Sequence, residues 1–329
     1  MDTATHFAMG FGLAALAHLD PVVASSPELA QAVMLGTVIG QQAPDLDGFT
    51  RLFGHAAYVR NHRGVSHSVP AIFLWTFATF GLIQFLQPQD HWGHLIFWIL
   101  LAVFLHVFVD LFNSYGTKGL SPFNRKWIAF DVIFIFDAFI FGMHMLGFLL
   151  WMAGAEPGSL FLMIYLIIAA YYVKRFRDHR RAKELIQSTL PVKGDCKLIP
   201  TAAWHNWTFL IQSDTHWHVG ELMNGNDPLI LDTFVRKPEN DLVKLSKTDK
   251  KVNSFLSFTS YAHVEVKEQP FGYEVRWFDL RYRAKRVESH YMFVAVVYID
   301  KQMQIRDSYI GWIHRGEEQL AKKLNPEKG

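Results

Sequence analysis

Two apolar runs, Val69–Leu86 and residues 93–115, follow one another with only residues 87–92 between them. The first carries no charge over its whole length. An apolar stretch of about 20 residues spans the hydrocarbon core of a bilayer as a helix. Inside a bilayer the backbone must satisfy its own hydrogen bonds, and within one segment only a helix does so. This pair therefore sets the fold class: a helical membrane bundle.

The rest of the first half fits the same plan. Residues 128–152 are apolar except for Asp131, Asp137 and His144, and residues 159–173 are short but strongly apolar. Residues 3–19 and 28–43 are weaker runs. They read as a helical hairpin that turns at Asp20-Pro21 and Ser25-Ser26-Pro27 inside the bundle. Asp2 and His6 stand where a signal peptide would carry its basic segment, so a cleaved leader is not expected. About six helices result.

Charge divides the chain. Residues 1–173 hold 6 Lys+Arg against 10 Asp+Glu, and residues 174–329 hold 26 against 20. All six early cations lie in two loops, Arg51, Arg60 and Arg63 in one and Lys118, Arg125 and Lys126 in the other. The alternate connections 20–27, 87–92 and 153–158 have none, and a basic cluster, residues 174–181, follows the last run. By the positive-inside rule both basic loops and the C-terminal part face the cytoplasm. The expected domains are a membrane bundle over 1–175, a basic helical linker over 176–195 and a β-rich cytoplasmic domain over 196–329.

That last part changes period. Trp207–Gln212, Leu229–Val235 and residues 262–267, 273–283, 291–299 and 304–312 are β-branched, aromatic or alternating, which predicts a small antiparallel sheet. His216 and His218 would share one face of a strand, and packing across strands explains them better than metal binding. The basic excess here is modest and spread out, so no nucleic-acid partner is expected.

This topology brings one set of polar residues to the cytoplasmic face. His106 and Asp110, four apart on a helix, share a side and can reach one ion. A charged group inside a span is costly and normally has a partner. Asp45 and Asp47 sit two apart in Pro44-Asp45-Leu46-Asp47 after the second helix. His62 and His67 flank Arg63, Gly64 and Ser66, and His6 lies one turn into the first helix. With a single cysteine, Cys196, any metal must be held by His and carboxylates. The expected ligands are His6, Asp45, His62, His67, His106 and Asp110. Arg63 would bind a developing negative charge, and Asp47 or Asp131 would act as general base. Asn113 and Ser114 would orient ligands, and Asp137 lies deeper. The expected cofactor is a divalent metal, zinc first, with manganese or iron as alternatives.

The set Thr5-His6, Pro44-Asp45-Leu46-Asp47, His62-Arg63-Gly64-Val65-Ser66-His67-Ser68 and His106-x-x-x-Asp110 resembles the YdjM/YfhP-type inner-membrane proteins over roughly residues 1–175. The resemblance implies a multi-span bundle with a metal site, and a membrane-bound metal-dependent hydrolase. A more distant likeness is to the zinc phospholipase C and single-strand nuclease superfamily. There His6, Asp45, His62 or His67, His106 and Asp110 would fill the ligand roles in order, although the later His-x-x-x-Glu helix of that group is missing. These likenesses imply hydrolysis of a phosphoester or lipid-linked substrate at the cytoplasmic face, with membrane lipids as neighbours. The competing reading is a non-catalytic metal or proton transporter, or a metal-sensing scaffold. A transport path needs polar groups through to the far face, whereas these cluster at one.

Overall fold

The computed structural model describes residues 1–124, 126–236, 238–284, 291–314 and 317–324. Arg125, one of the loop cations, lies outside them. The chain forms two compact units: residues 1–47, 63–182 and 199–206 make the first, and residues 48–62, 183–198 and 207–329 the second.

The first unit is helical. It is built on α1 (Thr3–Leu16), α2 (Pro21–Ser25), α3 (Pro27–Gln42), and, after α4 (His55–Asn61) of the second unit, α5 (Val69–Leu86), α6 (Trp92–Asp110), α7 (Ala138–Met152) and α8 (Pro157–Thr189). Helices α5, α6 and α8 are long and apolar enough to cross a membrane, and α7 is a shorter apolar helix. α5 is apolar on its outer side as well, with Leu74 and Phe85 66% and 84% exposed. Such a helix belongs in a protein or lipid interior. The expected hairpin is present as α1 and α3. Asp2, Asp20 and Ser26 cap the N-termini of α1, α2 and α3, each accepting a bond from a first-turn amide.

Small residues set the spacing inside the bundle. A Cβ on Gly10 of α1 would stand 2.8 Å from Val38 Cα of α3, and one on Gly36 would stand 2.7 Å from Ile99 of α6. Gly40, one turn further on, faces Ala102 and Val103. Close backbone approach through such small residues is how helices associate where no water drives them together. One cluster of buried side chains joins α1, α7 and α8 through Met9, Ile140, Phe161 and Ile164. Another joins α3, α5 and α6 through Leu29, Val33, Ile72, Leu95 and Ile99.

The structure corrects the run 128–152. Its first ten residues are not helical. Thr117 and Ile128 form an antiparallel bridge, and the amides of Phe130 and Val132 donate to the carbonyls of Leu111 and Phe112 at 2.7 and 2.9 Å. These bonds satisfy carbonyls that the end of α6 would otherwise leave orphaned. The helix starts only at Asp137, whose carboxylate caps the amides of Phe139 and Ile140. The basic cluster 174–181 lies within α8, which continues unbroken to Thr189.

The second unit holds two four-stranded antiparallel sheets where one was expected. β1 (Asp195–Pro200), β2 (Trp207–Gln212), β3 (His216–Leu222) and β4 (Leu229–Val235) form one, in that order. β5 (Ala262–Gln269), β6 (Gly272–Asp279), β7 (Phe293–Asp300) and β8 (Ile305–Trp312) form the other. α9 (Asp241–Ser246) and α10 (Lys250–Phe258) precede β5, and α11 (Glu317–Ala321) follows β8. Val243, Val252 and Phe255 pack with Val275, Trp277, Phe293, Ala295 and Val297 in one core. β7 is buried along its whole length, as its unbroken apolar sequence requires.

Candidate metal centre

Three stretches of the first unit deliver the site. α6 carries His106 and Asp110 on one side, both with no exposed surface. At the end of α3 the chain tightens into a 3-10 segment, Ala43–Phe53, since Pro44 cannot donate to a continuing α-helix. This brings in Asp45 and Asp47. The string before α5 turns sharply at Arg63, whose φ is +59°, and a 3-10 turn, Val65–His67, buries His67 completely.

Asp45, His67, His106 and Asp110 each offer one ligand atom, all within 4.8 Å of one another. The two Nε2 atoms of His67 and His106 are 3.2 Å apart. Asp45 Oδ1 lies 3.5 Å from His67 Nε2 and 3.7 Å from His106 Nε2. Asp110 Oδ2 lies 3.5 and 3.8 Å from the same two atoms. Ligands of a tetrahedral cation at about 2.0–2.1 Å stand roughly 3.3 Å apart, so these edges are close to what one ion demands.

The protons point the wrong way for any other arrangement. His106 Nδ1 lies 2.6 Å from the backbone carbonyl of Gln41, which can only accept, so Nδ1 carries the hydrogen and Nε2 presents a lone pair. Ser66 Oγ donates to Asp47 Oδ2 and so accepts from His67 Nδ1 at 3.0 Å, which again leaves Nε2 bare. Two lone pairs therefore face each other across 3.2 Å. Beside them the buried Asp45 Oδ1 and Asp110 Oδ2 have no hydrogen-bond donor among the described residues. Four electron-rich atoms aimed at one point, with outer partners fixing each ring, fit a bound cation. Burial holds the His67 imidazole down, at about 4, against the pull of the Asp45 and Asp47 carboxylates. It is thus neutral near pH 7, the form that binds metal.

Arg63 closes one side. Its guanidinium donates to Asn113 Oδ1 at 3.1 Å and to the Met1 carbonyl at 2.9 Å, and Nη2 lies 3.3 Å from Asp110 Oδ1. The Met1 amino group also lies against Asp110 Oδ1, and Asn113 Nδ2 donates to that oxygen at 3.3 Å. One oxygen of Asp110 is thus held by the protein, and the other faces the histidines.

The remaining expected residues fall as follows. His6 is not one of the four. Its Nε2 reaches Asp110 Oδ1 at 3.4 Å, and its ring stacks on His106 with centroids 3.8 Å apart. Asp47 accepts from the Arg63 amide at 2.9 Å and from Ser66, and so positions the loop and His67. His62 ends α4 in the second unit, with its ring stacked on Tyr58 at 4.7 Å. Asp131 is buried with φ +56°, in the segment bonded to the α6 terminus, and does not belong to the quartet. Asp137 is taken up by its helix cap and by Tyr171 at 2.7 Å. Asn113 does orient Asp110 and Arg63; Ser114 is partly exposed beside it. In the second unit His216 and His218 share a face of β3, with rings 5.8 Å apart.

Gln41 was missed by the sequence reading. Its side chain accepts from His6 Nδ1 at 3.1 Å and donates to the Ala102 carbonyl at 3.0 Å, while its backbone holds His106. The one available signal was a polar residue one turn beyond Gly36-x-x-x-Gly40, on the face turned to α6.

A helical bundle with bilayer-length apolar helices and a buried His/Asp centre defines a membrane protein with a candidate metal site. Residues 1–182 match the family described as YdjM inner membrane protein, and residues 241–324 match the YfhP C-terminal alpha/beta plait domain. The chain belongs to the YdjM inner membrane protein family. A curated relative, the uncharacterized protein YfhP of Bacillus subtilis (strain 168), is 43% identical over 327 residues, covering 98% of each chain. No solved structure gives a significant match.

Proposed function

We propose that the protein is a membrane-embedded, metal-dependent hydrolase acting on a phosphoester or lipid-linked phosphorylated substrate at the cytoplasmic face. The observation that carries this is the quartet of Asp45, His67, His106 and Asp110, with two opposed Nε2 lone pairs and two donor-free carboxylate oxygens. These four would hold a divalent cation, zinc first by donor type, with manganese or iron as alternatives. Such an ion supplies an activated water and Lewis-acid polarisation of a phosphoryl oxygen.

The chain's own groups do the rest. Arg63, 4% exposed and fixed by Asn113 and Met1, binds the negative charge that develops on the phosphoryl group. Asp47 and Ser66 keep the His67 proton on Nδ1. Asp131 is the proton acceptor we assign, because Asp47 is spent on positioning. Six crossings with the second unit in the cytoplasm follow from the loop cations, and a site at headgroup depth favours an amphiphilic substrate among the membrane lipids. The transporter reading is weaker because deeper polar groups are already engaged: Asp137 caps α7 and bonds Tyr171, and His144 donates to the Ile140 carbonyl at 2.8 Å.

The test is elemental analysis of detergent-purified protein, wild type beside His67→Ala and Asp110→Ala, with a screen of phosphomonoesters, phosphodiesters and short-chain phospholipids. Bound metal that both variants lose, with turnover abolished in both and reduced in Asp131→Asn without metal loss, supports the proposal. Wild-type protein that takes up neither zinc nor manganese, or loaded protein that turns over none of these esters, overturns it.

A further inference from the structure

β4 ends the first sheet and β5 begins the second. Among the described residues β4 pairs with β3 alone and β5 with β6 alone, so each keeps one row of backbone N–H and C=O groups outside its own sheet. Both rows border one slot of about 920 Å³. Residues 233–236 form one wall and residues 262–267 the other. Successive side chains of a strand point to opposite faces. A wall made of every residue in turn is therefore the strand's hydrogen-bonding edge rather than one of its faces.

β5 is a regular template. It pairs with β6 through eight consecutive positions without a bulge and contains no proline, two of the devices that normally blunt an edge. The slot has a buried aromatic floor, with Trp217 and Trp277 only 6% and 5% exposed. Its polar lining includes Arg236 and Lys267 against Glu239 and Glu265, two charges of each sign. Net charge therefore selects little, and the backbone carries the recognition.

We propose that this slot takes one extended polypeptide segment of a partner protein as an added strand. Only another extended backbone offers donors and acceptors at the repeat that a strand edge presents. Six residues of β5 give about 20 Å of edge at roughly 3.3 Å per residue, enough for about six residues of ligand. A second copy cannot fill the slot with its own sheet edge, because that edge belongs to a sheet four strands wide. Aromatic and charged lining together suit a segment whose side chains alternate apolar and polar.

Hydrogen–deuterium exchange on the full chain in detergent tests this. The probe is a pooled library of hexapeptides in which valine alternates with Thr, Lys or Glu, beside the same pool N-methylated at alternate amides. The expected result is exchange slowed by about tenfold or more at amides of 229–236 and 262–269, with no slowing by the N-methylated pool. Three results overturn the proposal: edge amides already protected without peptide, which means the two edges pair directly; no slowing with the pool; or equal slowing with the N-methylated pool.

Discussion

The Gln41 side-chain carbonyl accepts from His6 Nδ1 at 3.1 Å, while the backbone carbonyl of the same residue accepts from His106 Nδ1 at 2.6 Å. One residue at the end of α3 thus fixes two imidazoles from two other helices. Gln41→Leu keeps the volume and the backbone bond but leaves His6 Nδ1 and the Ala102 carbonyl buried without partners. The expected outcome is a roughly 10–100-fold loss of metal affinity, as for other groups that orient ligands, in a protein that still folds. Competition titration with a chelator measures it, and unchanged affinity would remove Gln41 from the site.

Arg63 is the counter-charge to a carboxylate with no exposed surface. Arg63→Met should lower stability by about 3–5 kcal/mol, because Asp110 keeps its charge and loses a buried partner. Arg63→Lys should fall between, since a point charge cannot serve Asn113, Met1 and Asp110 with one planar fork. Thermal unfolding of the three proteins in detergent gives the order, and equal stability of wild type and Arg63→Met contradicts the pairing.

Gly10 touches no ligand, yet it lies one turn after His6, and Val38, which it abuts, lies one turn before Gln41. A valine there must push against backbone at 2.8 Å. Gly10→Val should cost about 1–3 kcal/mol as an overpacked contact and weaken metal binding by parting α1 from α3. Gly81→Val, where nothing lies within 4 Å of the added carbon, is the control that should leave metal content unchanged.

His67 should make the metal-free protein acid-sensitive. Its imidazole titrates near the usual 6.5 when unfolded and is held at about 4 by burial when folded. Between those values the unfolded chain binds the extra proton, so stability falls as pH is lowered from 6.5 to 4 and is flat above. The gap is worth about 3 kcal/mol. Chelator-treated wild type should lose melting temperature across that window, and His67→Gln should lose less; parallel curves would refute the assignment.

Much of the bundle was legible because apolar runs of bilayer length have one solution. Val69–Leu86 is both the run and the helix. Residues 128–137 misled because composition records apolarity, not hydrogen-bond partners, and those residues spend their amides on the end of α6. His106 and Asp110 could be read from a four-residue spacing. His67 could be read from its string, while His62, in the same string, falls in the other unit because a sharp turn at Arg63 separates them. Gln41 was invisible, since nothing in a glutamine announces that two histidines from distant helices will meet it. β3 was missed as a strand, its His-Trp-His-Val-Gly-Glu-Leu sequence showing histidines more plainly than alternation.

The four ligands come from positions 45, 67, 106 and 110, so the centre cannot exist until α3, the turn before α5 and the end of α6 have met. Until an ion arrives, Asp45 and Asp110 bring two acidic groups into one dry space. Metal capture is thereby coupled to completion of the bundle, and the ion acts as the last piece of the fold. A cell short of metal would then run short of the protein itself: chains finished without an ion would open more readily and be removed by membrane proteases before any reaction was missed.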